Sequence, residues 1–262
     1  MRLKTSLVIF MLIACGWRGA DLRAEADAGR EAPPRDLPPE VFLESARQPF
    51  VQDAWGRFAG TVQYRGPAGR VKMPIYLAVM FQPDFMRAQV VLDRTAHYGI
   101  MQVYYSRGLP NITVQMPEQA PAVDLKTLGI EPKDITFSFL YWRFERELAM
   151  DEVRGQDCRV MELRHPDTGE RVTAWFSADY FFPLQVVSHE ADAGMPARTL
   201  EFTDFKKHGD IWYVTKLRLQ GPDWKTQVKF GEGEIHLSAD DPPPPDLFFS
   251  TQKLPEDIGT AE

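Results

Sequence analysis

Val71–Phe81 reads VKMPIYLAVMF, and this stretch decides the fold class. Side chains alternate between the two faces of a strand, so Ile75, Leu77, Val79 and Phe81 share one face and Tyr76, Ala78 and Met80 the other. Both faces are apolar. A strand in a sheet with one wet face would alternate cleanly between apolar and polar residues. Both faces of this strand must therefore be covered. Helices can cover one face, and a ligand cavity can account for part of it.

Outward from this stretch the same rhythm recurs. RFAGTVQYR precedes it, and FMRAQVVLD, GIMQVYYS and NITVQM follow. The second half repeats it in ERELAMDEVRG, DCRVMELRHP, ERVTAWFSA, FPLQVVSHEA, ARTLEFTDFKKHG, IWYVTKLRLQG and KTQVKFGEGEIHLS. These runs are short, rich in β-branched and aromatic residues, and split by Gly, Pro and Asp turn formers such as Gly66-Pro67-Ala68-Gly69 and Gly221-Pro222-Asp223. About twelve strands in meander order imply a mainly β chain with one large antiparallel sheet, curved or partly closed. No residue-level repeat relates the two halves.

Helical signals are few. PPEVFLESARQPF predicts a short helix from about Glu40, with Pro39 in its first turn and Pro49 ending it. In DLKTLGIEPKDITF, Leu128-Gly129 fits a helix end and Pro132 the first turn of the next one. After a run of prolines, Leu247-Phe248-Phe249 is expected to dock back on the core.

The N-terminus reads as an address. In MRLKTSLVIFMLIAC a basic start, Arg2 and Lys4, precedes an apolar run from Leu7 to Ala14, the layout of a secretory signal. The run is shorter than the ~20 residues a spanning helix needs. It ends in Leu12-Ile13-Ala14-Cys15, which resembles a bacterial lipobox and makes Cys15 the candidate lipidation site. The alternative is an ordinary signal cut later, for example after Ala24-Glu25-Ala26. Either way the chain leaves the cytoplasm for the periplasm. Residues 16–40, with Pro33, Pro34, Pro38 and Pro39, read as a flexible tether. Residues 41–262 read as a single β domain ending in a Pro-rich tail.

Charge and motifs exclude several function classes. The net charge is −7 over 262 residues, and the 30 basic residues are scattered through the sequence. Nucleic-acid binding, which needs clustered Lys and Arg against phosphates, is not expected. Cys15 and Cys158 are the two cysteines, and neither has a CxxC partner, which removes the zinc and redox-pair readings. There is no GxSxG, HExxH, P-loop or GxGxxG. Ser188 and His189 are neighbours on a strand and face opposite sides, so they form no dyad. Asp151-Glu152 and Asp240-Asp241 are acidic pairs without further ligand spacing. No catalytic residue, metal site or cofactor is assigned.

What remains is apolar: 17 Phe, 10 Met, 8 Tyr and 6 Trp. FSFLYWRF, from Phe137 to Phe144, concentrates the rings. Apolar ring walls bind a guest without catalytic groups, and Met suits irregular apolar pockets. The competing reading is that these residues build an ordinary core.

The order DITFSFLYWR, a charged strand, EVRGQDCRVMEL, VTAWFSADYFFPLQVV, LEFTDFKKHGDIWYVTKLRLQ and DLFFSTQKLPE resembles the bacterial outer-membrane lipoprotein-sorting protein family, related to the periplasmic carrier LolA. The resemblance runs from about Phe58 to Leu254 and is clearest after Asp134. It implies a strongly curved antiparallel sheet, an unclosed half-barrel, with short helices on its concave side. It also implies non-covalent binding of the acyl chains of lipoproteins or lipids between sheet and helices, at the envelope membrane surface. On that basis the candidate lipid-contacting residues are Leu77, Val79 and Phe81, the rings of Phe137, Phe139, Tyr141, Trp142 and Phe144, and Trp175. A lipidated Cys15 would depart from a soluble shuttle and make a tethered binder. Two rivals stand beside this reading. One is a membrane-anchored structural or interaction lipoprotein with a fully packed core and no ligand. The other is a hydrolase on lipid or glycan substrates, which needs carboxylates or a Ser/His pair converging in one cleft.

Overall fold

The computed structural model describes residues 34–48, 52–67, 69–104, 109–189, 196–208 and 211–248. Cys15, the tether up to residue 33, and Phe249 lie outside the described residues. The strands are β1 (Ala54–Gly66), β2 (Gly69–Phe81), β3 (Phe85–Leu92), β4 (Ala96–Val103), β5 (Asn111–Gln115), β6 (Arg143–Val153), β7 (Gln156–Arg164), β8 (Arg171–Ser177), β9 (Pro183–His189), β10 (Pro196–His208), β11 (Ile211–Gln220) and β12 (Lys225–Leu237). They form one 12-stranded antiparallel sheet that is curved but not closed, in the order β5-β4-β3-β2-β1-β12-β11-β10-β9-β8-β7-β6. Two meanders therefore meet at the β1/β12 seam, and the chain crosses from one edge strand to the other between β5 and β6. The part of that crossing segment from Leu125 to Trp142 lies over the concave face.

β1 and β12 run side by side for almost their full length, with a register shift at Ala59/Gly60. A Cβ on Gly60 would lie 2.1 Å from the Lys229 carbonyl oxygen, so only glycine allows the backbones to approach this closely at the bend. The edge strand β6 carries Arg143, Glu145, Arg146, Glu147, Asp151 and Glu152, and such charge discourages pairing with another sheet.

Helix α1 (Pro39–Arg47) starts on Pro39, whose missing N–H would have no partner in the first turn anyway. Its apolar positions Phe42, Leu43 and Ala46 fall on one stripe and are buried on the sheet, whereas Val41 faces out. The Phe42 ring meets Phe176 of β8 at 5.8 Å and the Arg159 guanidinium at 4.6 Å. Burying a Phe of this kind stabilises by roughly 1.5–3 kcal/mol.

The folded part begins earlier than the sequence implies. Residues 34–40 are docked: Pro34–Asp36 form a single 3-10 turn, and Arg35 pairs with Asp157 at 2.9 Å and Asp179 at 3.0 Å. The Leu37 carbonyl accepts from Arg159 at 2.7 Å. These partners lie more than a hundred residues downstream, so local composition alone reads the segment as a tether.

Both faces are covered from Ile75 to Phe81, whereas Lys72 nearer the hairpin end stays exposed. The segment from Leu125 to Trp142 covers the concave face. On the outer face Tyr76 and Ala78 pack with Trp55, Val91 and Leu247, and the Arg87 guanidinium stacks 4.2 Å from the Phe248 ring. The Trp55 indole N–H donates to the Asp241 carbonyl at 2.7 Å. The C-terminal segment through Phe248 thus lies on the outside of the sheet.

Candidate functional site: an apolar cavity beneath the crossing segment

Between the concave face and the crossing segment lies a cavity of about 110 Å3. Its floor is built from the inward side chains of strands that are distant in sequence. Leu77, Val79 and Phe81 come from β2, Phe58 from β1, Leu217 from β11 and Phe230 from β12. Its roof is Leu125, Ile130, Ile135 and Phe137. All lining residues but one are apolar, and the exception is Asp134.

Local chemistry fixes the roof. Helix α2 (Pro132–Thr136) begins with a capping box in which the Asp134 carboxylate accepts from the Glu131 N–H at 2.7 Å. It ends at Phe137, whose φ of 52° is a left-handed conformation unusual for a large side chain. The Phe137 ring is held by Phe202 at 5.4 Å, Phe139 at 5.9 Å and Phe182 at 5.9 Å, and this packing supports the conformation. The 125–129 stretch is a run of turns rather than a helix, and Gly129 takes φ +69°. A Cβ there would lie 2.1 Å from the Trp224 ring, which fills the space beside it. The Thr226 hydroxyl donates to the Leu128 carbonyl at 2.5 Å, tying the roof to β12.

Asp134 joins the roof to the wall. Arg198 of β10 binds its carboxylate at 2.6 Å and reaches Glu131 at 3.0 Å, with both Arg198 and Asp134 largely buried. Burial pushes the Asp134 carboxyl up, and Arg198 opposes the rise. Burial also disfavours ionisation of Glu131, but Arg198 and Lys133 outweigh it and hold that carboxyl below its usual range. Lys133 further contacts Glu170 at the start of the β8 hairpin arm.

The candidate residues divide by place. Leu77, Val79, Phe81 and Phe137 converge on the cavity. Phe139 and Trp142 are fully buried in the surrounding core but do not line the cavity. Tyr141 is half-buried, with its ring near Tyr104 at 5.4 Å and the Arg47 guanidinium at 5.5 Å. Phe144 is half-buried on β6. Trp175 points away from its core neighbour Phe176 and donates its indole N–H to Asp151 at 2.9 Å. The crossing segment accounts for this spread. FSFLYWRF leaves α2 through a 3-10 turn, Ser138–Tyr141, so its rings fan out instead of alternating along a strand.

Sequence reasoning missed the β11 and β12 floor. Its signal was present: Leu217 and Leu219 alternate with Lys216 and Arg218, and Val228 and Phe230 with Gln227 and Lys229. What places them beside β2 is the β1/β12 seam, which no local pattern reveals.

Among the described residues no Cys, His or Ser lines the cavity, and its one polar side chain is Asp134. Burial pushes the Cys158 thiol up to about 11. His189 is lowered by burial and shares a hydrogen bond with the Thr173 hydroxyl at 2.9 Å. The His236 ring stacks on Trp55 at 4.5 Å and contacts Asp241 at 3.1 Å beneath the C-terminal segment. Among the described residues no group of three or more His, Cys, Asp or Glu is placed to hold a metal ion. No helix among them is long and apolar enough to cross a membrane.

No protein-family model matches this sequence, and no curated protein matches it by sequence. Solved structures match the fold. A DUF1329 family protein from Desulfovibrio piger superposes with a TM-score of 0.60 at 15% identity, over 74% of this chain and 92% of that one. A domain from Vibrio parahaemolyticus assigned as an outer membrane lipoprotein-sorting protein gives 0.56 at 15% identity, over 75% and 93%. A LolA superfamily protein from Nitrosomonas europaea gives 0.52 at 12% identity, over 76% and 93%. The chain has the LolA-like fold: a mainly β, unclosed antiparallel sheet with two short α-helices among the described residues.

Proposed function

We propose that this chain is an exported envelope protein that holds acyl chains of lipoproteins or lipids non-covalently, in a lipoprotein-sorting or carrier-like role. The observation that carries the proposal is the apolar cavity between sheet and roof, lined by Leu77, Val79, Phe81 and Phe137. The fold it shares with a lipoprotein-sorting domain and a LolA superfamily protein supports the same reading. The role is binding, and no bond is made or broken. The signal-like N-terminus supports a periplasmic location, and Cys15, if acylated, anchors the chain at the membrane.

The cavity volume sets the first step. A space of about 110 Å3 takes a segment of about five methylenes. At ~0.8 kcal/mol each this gives about 4 kcal/mol, a millimolar grip. Tighter binding of a full acyl chain requires the roof to part from the sheet. The test is titration of the purified protein with a fluorescent fatty acid, alongside Leu77→Trp. Leu77 is only half-buried and faces the cavity, so a larger ring fills space without rebuilding the sheet. Saturable binding that weakens at least tenfold in the variant, with an unchanged circular dichroism spectrum, is the expected result. Absence of binding in the unsubstituted protein would favour a structural lipoprotein without a ligand.

A further inference from the structure

A second feature lies on the opposite side of the sheet, at the ends of the β1–β2 and β11–β12 hairpins. Leu219 and Val228 point inward to the cavity, so their strand neighbours Arg218, Lys225 and Gln227 point outward. Arg70, Arg65 and Lys225 stand directly opposite one another across β2, β1 and β12. On the same face, one step along, come Lys72, Gln63, Gln227 and Arg218. These rows border an open trough of about 850 Å3. Five of its lining residues are basic, and Glu201 is the one carboxylate.

This arrangement has an energetic consequence. Like charges directly opposite on neighbouring strands destabilise a sheet. Strand spacing is about 4.8 Å, so Arg65 sits between two cations. Among the described residues none of the five basic side chains is ion-paired, although the chain as a whole carries −7. Five of the 30 basic residues, from separate parts of the sequence, are gathered here by the β1/β12 seam.

We propose that this trough docks the protein on the phosphate headgroups of an anionic lipid leaflet. The inference deepens the membrane-surface part of the proposed function. Charge complementarity is the argument for the occupant, and exposure settles its form. All five basic side chains are exposed, so no single small anion is desolvated here. An extended array of phosphates, each contacted weakly, suits a face five strands wide. Docking by the outer face leaves the roof on the concave side unobstructed.

The test uses the exported chain carrying Cys15→Ser, so that no acyl anchor contributes, and vesicles of phosphatidylcholine with or without phosphatidylglycerol. Each basic residue near an anionic leaflet strengthens association by roughly fivefold. Arg65→Gln with Lys225→Gln should therefore weaken binding to the anionic vesicles about 25-fold. The melting temperature should stay level or rise, because repulsion is relieved. Binding should fall in about 0.5 M salt. Equal binding to neutral vesicles, no binding to either, or a variant that binds like the parent overturns the proposal. So does saturation by glycerol phosphate at the same phosphate concentration, which would mark a small-anion site. Fatty-acid uptake measured on the same samples separates the two readings. In the parent chain, fatty-acid uptake without vesicle binding rejects the trough alone, and vesicle binding without uptake rejects the cavity alone.

Discussion

Replacing Arg198 by Met removes the cation that binds the Asp134 carboxylate at 2.6 Å. The side chains are 7% and 10% exposed, so water cannot take the place of Arg198. Breaking a buried pair from one side costs about 3–5 kcal/mol, because a charge is left uncompensated. For a domain of this size that corresponds to a fall in Tm of roughly 6–20 °C. The deficit carries a pH signature. Burial raises the folded-state pKa of Asp134 above its unfolded value. A carboxyl raised in this way favours the folded state when protonated, and that contribution is lost as pH climbs through the folded pKa. Arg198 opposes the rise, so removing it moves the loss to higher pH. Glu131 adds to the effect with the same sign. Arg198 helps hold its carboxyl low, and that stability is present only above the ordinary carboxylate range. Urea unfolding followed by tryptophan fluorescence should show the full deficit at pH 8 and a smaller one at pH 5. Adding Asp134→Leu should recover most of the loss, short of about 1 kcal/mol for the Glu131 N–H that loses its acceptor. A variant as stable as the parent, or a deficit independent of pH, would refute the account of the roof-to-wall pair.

Other outcomes follow from the same contacts. Gly129→Ala combines a left-handed backbone with a Cβ 2.1 Å from Trp224, so it should lower stability by about 1–3 kcal/mol and raise amide exchange across residues 125–130. The Cys158 thiol, raised to about 11 and buried, should resist thiol reagents at pH 8 in the native protein and react once the chain is unfolded in urea.

The strands were legible because alternation and turn formers are local. Val71–Phe81 announced two covered faces, and Pro39 and Pro132 marked both helix starts. The seam between β1 and β12 was not legible. It joins residues such as Val62 and Val228, which are far apart in sequence, and nothing near either one encodes the pairing. Half of the cavity floor depends on that seam, and so does the basic trough, whose Arg65 and Lys225 meet only across it. The aromatic cluster was legible as a concentration of rings but not as a site. A left-handed Phe137 followed by a 3-10 turn sends one ring to the cavity and the other four elsewhere. Residues 34–40 read as tether because the acids that hold Arg35 lie on distant hairpins.

The most direct test of the acyl-binding claim is photolabelling with a fatty acid that carries a diazirine along its chain, followed by peptide mapping. Crosslinks in the peptides containing Leu77–Phe81 and Phe137, suppressed by Leu77→Trp, are the predicted result. Crosslinks confined to the outer face, or none above an unfolded control, would contradict it.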